Sequence, residues 1–332
     1  MPWRQLQSPT GRTMREPRFW RRGGNPWPAR LLAPAGAVYG WATVLRRRLH
    51  RPYRASVPVI VAGGLTLGGA GKTPLALALA ERLAARNPHF LSRGYGGREA
   101  GPLRVDPARH GAADVGDEPL LLAARAPAWI ARDRAAGARA AAAGGAGLII
   151  LDDGFQNPFL AKDLALLAID GESGLGNGHV FPAGPLREPV SAALARAQGV
   201  VLIGEDRAGV AALIGARCPI LRARLVPAAP AAFNGKRIYA FAGIGRPEKF
   251  FASLESAGAS LAGRRTFPDH HSFSEAEVAE VLAAAAAAKA LPVTTAKDRL
   301  RLPAALRDRV EAFEVRLVFD DPAALDALLS KL

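Results

Sequence analysis

Thr66-Leu67-Gly68-Gly69-Ala70-Gly71-Lys72-Thr73 lies between an apolar, β-branched run from Val57 to Val61 and a helix-forming run from Leu75 to Leu83. A strand, a glycine turn and a helix in that order make a phosphate cradle. Glycines at 68, 69 and 71 let several backbone N–H groups turn toward one anion, and the helix that follows adds its positive end. Thr66 through Thr73 would therefore hold a nucleotide, with Lys72 reaching the β- and γ-phosphates and the Thr73 hydroxyl on Mg²⁺. Thr66 stands where the strict G-x-x-x-x-G-K-[ST] pattern has glycine. The bland alternative is a glycine-rich turn whose lysine is merely solvated. Pro74 suits a first helical turn, where its missing N–H costs nothing.

Outward from this loop, strand signals at 57 to 62, 89 to 92, 128 to 131, 147 to 152, 164 to 169 and 199 to 203 alternate with helical stretches. The alternation predicts an α/β fold of P-loop NTPase type, a mostly parallel sheet with helices on both faces and ligands at the carboxyl ends of its strands. Further strands at 219 to 225, 237 to 242 and 313 to 318, with alanine-rich helices at 275 to 290 and 322 to 331, predict a second, smaller α/β lobe. The boundary falls between 205 and 235. The expected organisation is an extension over 1–13, a basic amphipathic region over 14–55, a kinase-type core over 56–215 and the smaller lobe over 216–332.

Length and composition agree, since 332 residues with 49% hydrophobic and 22% charged content suit two globular cores. The single cysteine, Cys218, excludes an internal disulfide and any cysteine-based metal site. Much of the +15 net charge is concentrated at one end: residues 1–55 hold twelve arginines against Glu16 alone, a net +11. Leu31 to Leu45 carries no charge and is followed by Arg46-Arg47-Arg48. It is shorter than the roughly 20 residues that span a bilayer, and Pro34, Gly36 and Gly40 weaken it further. Leu31, Val38, Trp41, Leu45 and Leu49 share a helical face, so residues 28–51 read as a helix lying on an anionic membrane surface. The competing reading packs that face on the protein's own core. No nucleic-acid-binding fold accompanies the basic stretch, and no cleavable signal peptide is evident.

Three acidic or imidazole groups complete the chemistry. Asp152-Asp153 end the apolar run from Gly147 and would lie near Lys72 and Thr73 if the two strands are neighbours, holding Mg²⁺ directly or through water. An acidic strand end serves equally as a helix N-cap. Asp117-Glu118 follows Gly116 in a loop. Asp269-His270-His271 precedes a helix opened by a Ser274/Glu277 capping box, and its histidines are either structural or able to help deprotonate a hydroxyl.

Ser92-Arg93-Gly94-Tyr95-Gly96-Gly97, Gly116-Asp117-Glu118-Pro119, Asp152-Asp153-Gly154-Phe155-Gln156, Gly176-Asn177-Gly178, Pro182-Ala183-Gly184-Pro185-Leu186-Arg187-Glu188, Ala240-Phe241-Ala242-Gly243-Ile244-Gly245, Asp269-His270 and Thr294-Thr295-Ala296-Lys297-Asp298 occur in this order. From about Met14 to the end, the chain resembles the tetraacyldisaccharide 4'-kinases of lipid A synthesis, which typically have serine or threonine at the position of Thr66. The resemblance implies ATP-dependent phosphorylation of the 4'-hydroxyl of a tetraacylated glucosamine disaccharide 1-phosphate, giving lipid IVA at the cytoplasmic face of the Gram-negative inner membrane, with peripheral attachment. It makes Asp117 the catalytic base with His270 as its partner, gives Lys72 and Thr73 to phosphate and Mg²⁺ with Asp152 and Asp153 near the metal, and gives Arg93, Tyr95, Arg134, Gln156 and Arg187 to the acceptor. Asn157 and Ala296 depart from the histidine and glutamate common at those positions. No obligate protein partner is implied. The alternative is a P-loop GTPase or metallochaperone-like NTPase, but the [NT]-K-x-D string that reads guanine is missing, since Lys297-Asp298 lacks the intervening residue.

Overall fold

The computed structural model describes residues 17–332; the expected extension over 1–13 lies outside them. The described chain divides into two compact units, Pro17–Leu225 with Arg316–Leu332, and Val226–Val315. In chain order the strands are β1 (Val59–Gly64), β2 (Pro88–Ser92), β3 (Leu103–Arg104), β4 (Ala128–Ile130), β5 (Leu148–Asp152), β6 (Leu164–Asp170), β7 (Gly199–Ile203), β8 (Ile220–Pro227), β9 (Arg237–Ala242), β10 (Ser260–Thr266), β11 (Leu291–Thr295), β12 (Glu311–Phe313) and β13 (Val315–Phe319).

Nine strands form one sheet in the order β13-β8-β7-β6-β1-β5-β2-β4-β3. Every pair from β4 to β8 across it is parallel, and β3 runs antiparallel to β4. The central strands β1, β2, β5 and β7 are buried along their whole length, as apolar runs must be when a parallel sheet is covered on both faces. The strand expected at 219 to 225 as part of the smaller lobe is β8, which joins this large sheet. So does the later part of the expected strand 313 to 318. Glu314 interrupts that run, leaving β12 in one sheet and β13 in the other.

The smaller unit is a parallel sheet in the order β10-β9-β11-β12. One core gathers Phe250, Phe251, Leu254 and Phe313, and another gathers Phe241, Phe273, Val278, Val281 and Leu282. β10 and β11 carry weak sequence signals: Ser-Leu-Ala-Gly-Arg-Arg-Thr is half polar, and Leu-Pro-Val-Thr-Thr contains a proline.

Two helices position the site. α1 (Pro26–Leu49) is capped by Asn25, whose side chain accepts from Trp27 N, and it buries Ala29, Gly36 and Gly40. A Cβ on Gly36 would lie 2.7 Å from the Val180 carbonyl oxygen, and one on Gly40 would lie 3.3 Å from Pro189 Cγ. These small residues thus let the helix back approach the 180–189 segment closely. The opposite face leaves Trp27, Leu31, Val38, Trp41 and Leu49 each about two-thirds exposed, so this apolar face does not pack on the protein's own core. No helix among the described residues is long and apolar enough to cross a membrane. α2 (Lys72–Arg82) begins at the glycine loop and buries Leu75, Ala76, Leu79 and Ala80 at helical spacing.

Candidate active site

The glycine loop leaves the carboxyl end of β1, which lies between β5 and β6. Its start is tied to the Pro185–Arg187 segment, because Leu67 N donates to Pro185 O at 2.8 Å and Arg187 N donates to Leu65 O at 2.8 Å. Gly68 (φ +114°) and Gly71 (φ +85°) take the left-handed backbone that glycine allows without strain. A Cβ on Gly68 or Gly69 would meet no atom within 4 Å, whereas one on Gly71 would meet Ile203 Cδ1 at 2.4 Å. Leu67 and Ala70 complete the turn, and Gly71 caps α2. Open space ahead of a helix N-terminus suits an anion.

Neighbouring β5 delivers the acidic pair. Ala62 faces Asp152 across the β1–β5 pair. Thr73 Oγ1 donates to Asp152 Oδ2 at 3.1 Å, and Lys72 Nζ donates to Asp153 Oδ2 at 2.8 Å. Arg187 grips Asp153 with two bonds of 2.8 and 3.0 Å. Burial would raise the Asp153 pKa, but Arg187 and Lys72 outweigh it and hold the carboxyl well below the usual range. Asp152 is pushed the other way, up to about 7, by burial and then by the neighbouring charges of Glu118 and Asp153. Its Oδ1 is buried without a hydrogen-bond partner.

Other expected residues gather on the same unit. Asp117 is buried at the first turn of helix Asp117–Ala123, behind Gly116 at φ +88°. A Cβ on Gly116 would lie 2.4 Å from Tyr95 O, so the Tyr95 and Asp117 segments touch through backbone. Arg134 begins the helix Arg134–Ala143, donates to Ala131 O and keeps a buried Nε without a partner. Burial, then the nearby Arg93, lowers its pKa to about 10. Arg93 and Tyr95 themselves are exposed. Gln156 Nε2 donates to Gly64 O at 3.0 Å and to Glu188 Oε1 at 3.3 Å.

Two features were missed from sequence. Glu188 has no signal of its own within its motif, yet it is fully buried and pairs with Arg47 and Arg196. Arg47 is therefore not a surface arginine like Arg46 and Arg48, which are exposed. Lys162, which carries no motif, is held in the same neighbourhood and donates to Asn157 O.

The two histidines separate in the smaller unit. His271 is structural: its Nε2 lies 3.0 Å from both Glu277 oxygens, and its ring stacks on Phe267. Backbone and side-chain bonds from Ser274, then His271, lower the Glu277 pKa to about 2. His270 sits at φ +59°, with its Nδ1 3.4 Å from Arg301 Nη2. Because a guanidinium only donates, this contact suits His270 with Nδ1 as the acceptor. Arg301 is set in turn by the fully buried Asp298 at 2.9 Å and by Gly243 O at 3.0 Å.

A nine-stranded, mostly parallel sheet carrying a glycine loop, a lysine and a threonine beside paired aspartates defines a P-loop enzyme of the phosphotransferase class. Within that class the chain belongs to the tetraacyldisaccharide-1-P 4'-kinase (LpxK) family, whose model matches residues 28–332. It is 58% identical over 328 residues to the tetraacyldisaccharide 4'-kinase of Rhodospirillum centenum, covering 96% of this chain and 97% of that one. With the same enzyme of Paramagnetospirillum magneticum it shares 54% over 325 residues, covering 96% and 99%. A crystal structure described as the "apo" form of LpxK from Aquifex aeolicus in complex with ATP aligns at a TM-score of 0.74 with 25% identity, covering 91% of this chain and 98% of that chain.

Proposed function

We propose that the chain transfers the γ-phosphoryl group of ATP to the 4'-hydroxyl of a tetraacylated glucosamine disaccharide 1-phosphate, forming lipid IVA. The observation that carries the reading is the pairing of Lys72 with Asp153 and of Thr73 with Asp152 at the root of an open glycine loop. Family membership and the ATP-bound relative of the same fold support the donor. Phosphoryl transfer asks a protein mainly for alignment and for neutralisation of charge on the equatorial oxygens. The backbone of Thr66–Thr73 would hold the triphosphate. Lys72 would exchange Asp153 for phosphate oxygens, with Arg187 keeping that carboxylate in place.

The residues fit Mg²⁺. A threonine hydroxyl and one carboxylate, with the rest of the octahedron left to phosphate and water, is the sparse oxygen set this ion takes. The unsatisfied Asp152 Oδ1 and its raised pKa both ask for a cation. Bound Mg²⁺ would neutralise the developing phosphate charge, with Thr73 and Asp152 as its holders and Asp153 behind them.

Asp117 is our choice for the base that takes the 4'-hydroxyl proton, with His270 assigned as its partner; both roles rest on the motif resemblance. Arg93, Tyr95, Arg134, Gln156 and Arg187 would bind the acceptor. The acyl chains stay in the bilayer, so the enzyme must work at its surface, and the exposed apolar face of α1 with Arg46 and Arg48 suits the cytoplasmic leaflet of the inner membrane. Incubation with Mg-ATP and the acceptor lipid should give a product heavier by one phosphate, and Asp117→Ala should lose most transfer while still binding ATP. A GTP-specific turnover, or an unchanged lipid, rejects the assignment.

A further inference from the structure

Asn177 lies outside the glycine loop and the acidic pair, and its side chain ties together two other pieces of backbone. Nδ2 donates to Phe19 O and to Ala183 O, each at 2.9 Å, and Oδ1 accepts from His179 N at 3.1 Å. Only one orientation of the amide fits, because both neighbours of Nδ2 are carbonyls and the neighbour of Oδ1 is an N–H. The Asn177 N–H donates to Trp20 O at 2.8 Å. A Cβ on Gly184 would overlap Asn177 Oδ1, so glycine there lets the amide lie directly against the turn that it holds.

That turn is 182–185, Pro-Ala-Gly-Pro, whose two prolines have no N–H to donate. Its amides, Ala183 N and Gly184 N, both close on Val180 O, which leaves its carbonyls to fix it in place. Ala183 is 1% exposed, so its carbonyl must find a partner inside the protein. Pro182 O accepts from Trp20 Nε1 at 3.1 Å, Ala183 O from Asn177, and Pro185 O from Leu67 N of the glycine loop at 2.8 Å. Just past the turn, Leu186 bridges Val180 on one side and Thr66 on the other, and Arg187 N donates to Leu65 O at 2.8 Å. The Arg187 side chain then holds Asp153 with its two bonds. Asn177 therefore grips the outer side of a short segment whose inner side is registered on the glycine loop and which ends in Arg187. A guanidinium fork set on one carboxylate tolerates little displacement.

We propose that Asn177 is a positioning residue for the phosphoryl transfer: through the Ala183 carbonyl it fixes the 182–187 segment, and with it the place of Arg187 relative to the phosphate loop. The inference rests on the kinase reading and deepens it. It also makes the chain just before α1 part of the same brace, because the carbonyls of Phe19 and Trp20 both end on Asn177.

The test uses Asn177→Asp, which keeps the size of the side chain and its acceptor for His179 N but turns both donors into an oxygen facing two carbonyls. With Mg-ATP and the tetraacylated disaccharide 1-phosphate in detergent micelles, kcat should fall roughly tenfold or more, as for a small misplacement near the reacting groups, while KM for ATP stays within about twofold because the loop's own amides still hold the phosphates. Asn177→Ser, with one donor left, should fall between wild type and Asn177→Asp. The deciding readout is a double-mutant cycle: in an Arg187→Gln background, Asn177→Asp should cost no more than about a further twofold, since the group it positions is gone. Full loss persisting in that background disconnects Asn177 from Arg187 and overturns the proposal. So does an unchanged kcat with a lowered Tm, which makes Asn177 a purely structural residue; both outcomes leave the kinase reading standing. If Asn177→Asp is too unstable to assay, Asn177→Ser carries the same cycle. A wild-type protein that leaves the lipid unchanged rejects the kinase reading, and the role given to Asn177 falls with it.

Discussion

At the scale of single residues, the neighbouring carboxylates of Asp152 and Asp153 do opposite things. Asp153 has bought its ionisation from Lys72 and Arg187, so its contribution to stability is present above the ordinary carboxylate range and is lost as pH falls. Asp152 has a pKa near 7. Between roughly pH 4 and 7 the folded state keeps a proton there that the unfolded chain has released, and stability falls as pH rises through that window. Asp152→Asn, always neutral and of the same shape, should therefore raise Tm at pH 8 by a few degrees and change it little at pH 4.5 in metal-free buffer. Added Mg²⁺ should raise the Tm of wild type and not of the variant; a Tm response to Mg²⁺ that survives the substitution rules Asp152 out as a holder. Arg301 gives a second residue-scale prediction. Arg301→Gln should lower kcat at least tenfold with KM for ATP unchanged, since it acts through the His270 tautomer, and Arg301→Lys should recover part. It should also destabilise the protein by about 3–5 kcal/mol, because Asp298 would remain buried with its charge unpaired. Equal loss in kcat and ATP affinity would reduce Arg301 to a structural role.

At the scale of elements, the sequence was legible where one physical cause dominated. The fully buried strands β1, β5 and β7 show as apolar runs, and a glycine loop between a strand and a helix announces itself. The nearness of Asp152 and Asp153 to Lys72 and Thr73 followed once β1 and β5 were taken as neighbours. β10 and β11 were not readable, because both are at most partly buried and their own composition is mixed. Glu188 and Lys162 were invisible as a pair for a different reason: their neighbourhood is assembled from α1 and the segments around 156 and 188, which no local pattern links. The glycines of α1 have a second role that no local pattern announces. Gly36 and Gly40 count against a spanning helix, and they are also where the helix lies against Val180 and Pro189. Gly36→Val should push the helix off the Val180 carbonyl, costing about 1–3 kcal/mol. The expected sign is faster proteolytic cleavage within residues 26–49, and unchanged cleavage would show that the helix docks by other contacts.

At the scale of the whole molecule, charge and apolar exposure fall on the same helix. Trp27, Leu31, Val38, Trp41 and Leu49 form an exposed apolar face of a kind that soluble monomers seldom keep. Arg46 and Arg48 are exposed beside it, whereas Arg47 is withdrawn to Glu188. A test of membrane attachment that removes all three arginines would confuse docking of the helix with docking to lipid. The informative variants separate the two. Leu31→Ser with Trp41→Ser removes apolar area that is worth roughly 1.5–3 kcal/mol per side chain if fully buried, and a shallow interfacial pose captures only part of it. Arg46→Gln with Arg48→Gln removes about 1 kcal/mol per charge on an anionic surface. Both pairs should weaken sedimentation with phosphatidylglycerol-containing vesicles about tenfold or more, the serine pair at any salt and the glutamine pair chiefly at low ionic strength. Neither should change ATP binding, because Arg47, which pairs with Glu188 beside the phosphate loop, is left intact in both. Vesicle binding that stays at the wild-type level in both would mean that α1 does not carry the attachment, and that its bare apolar face serves some contact other than lipid.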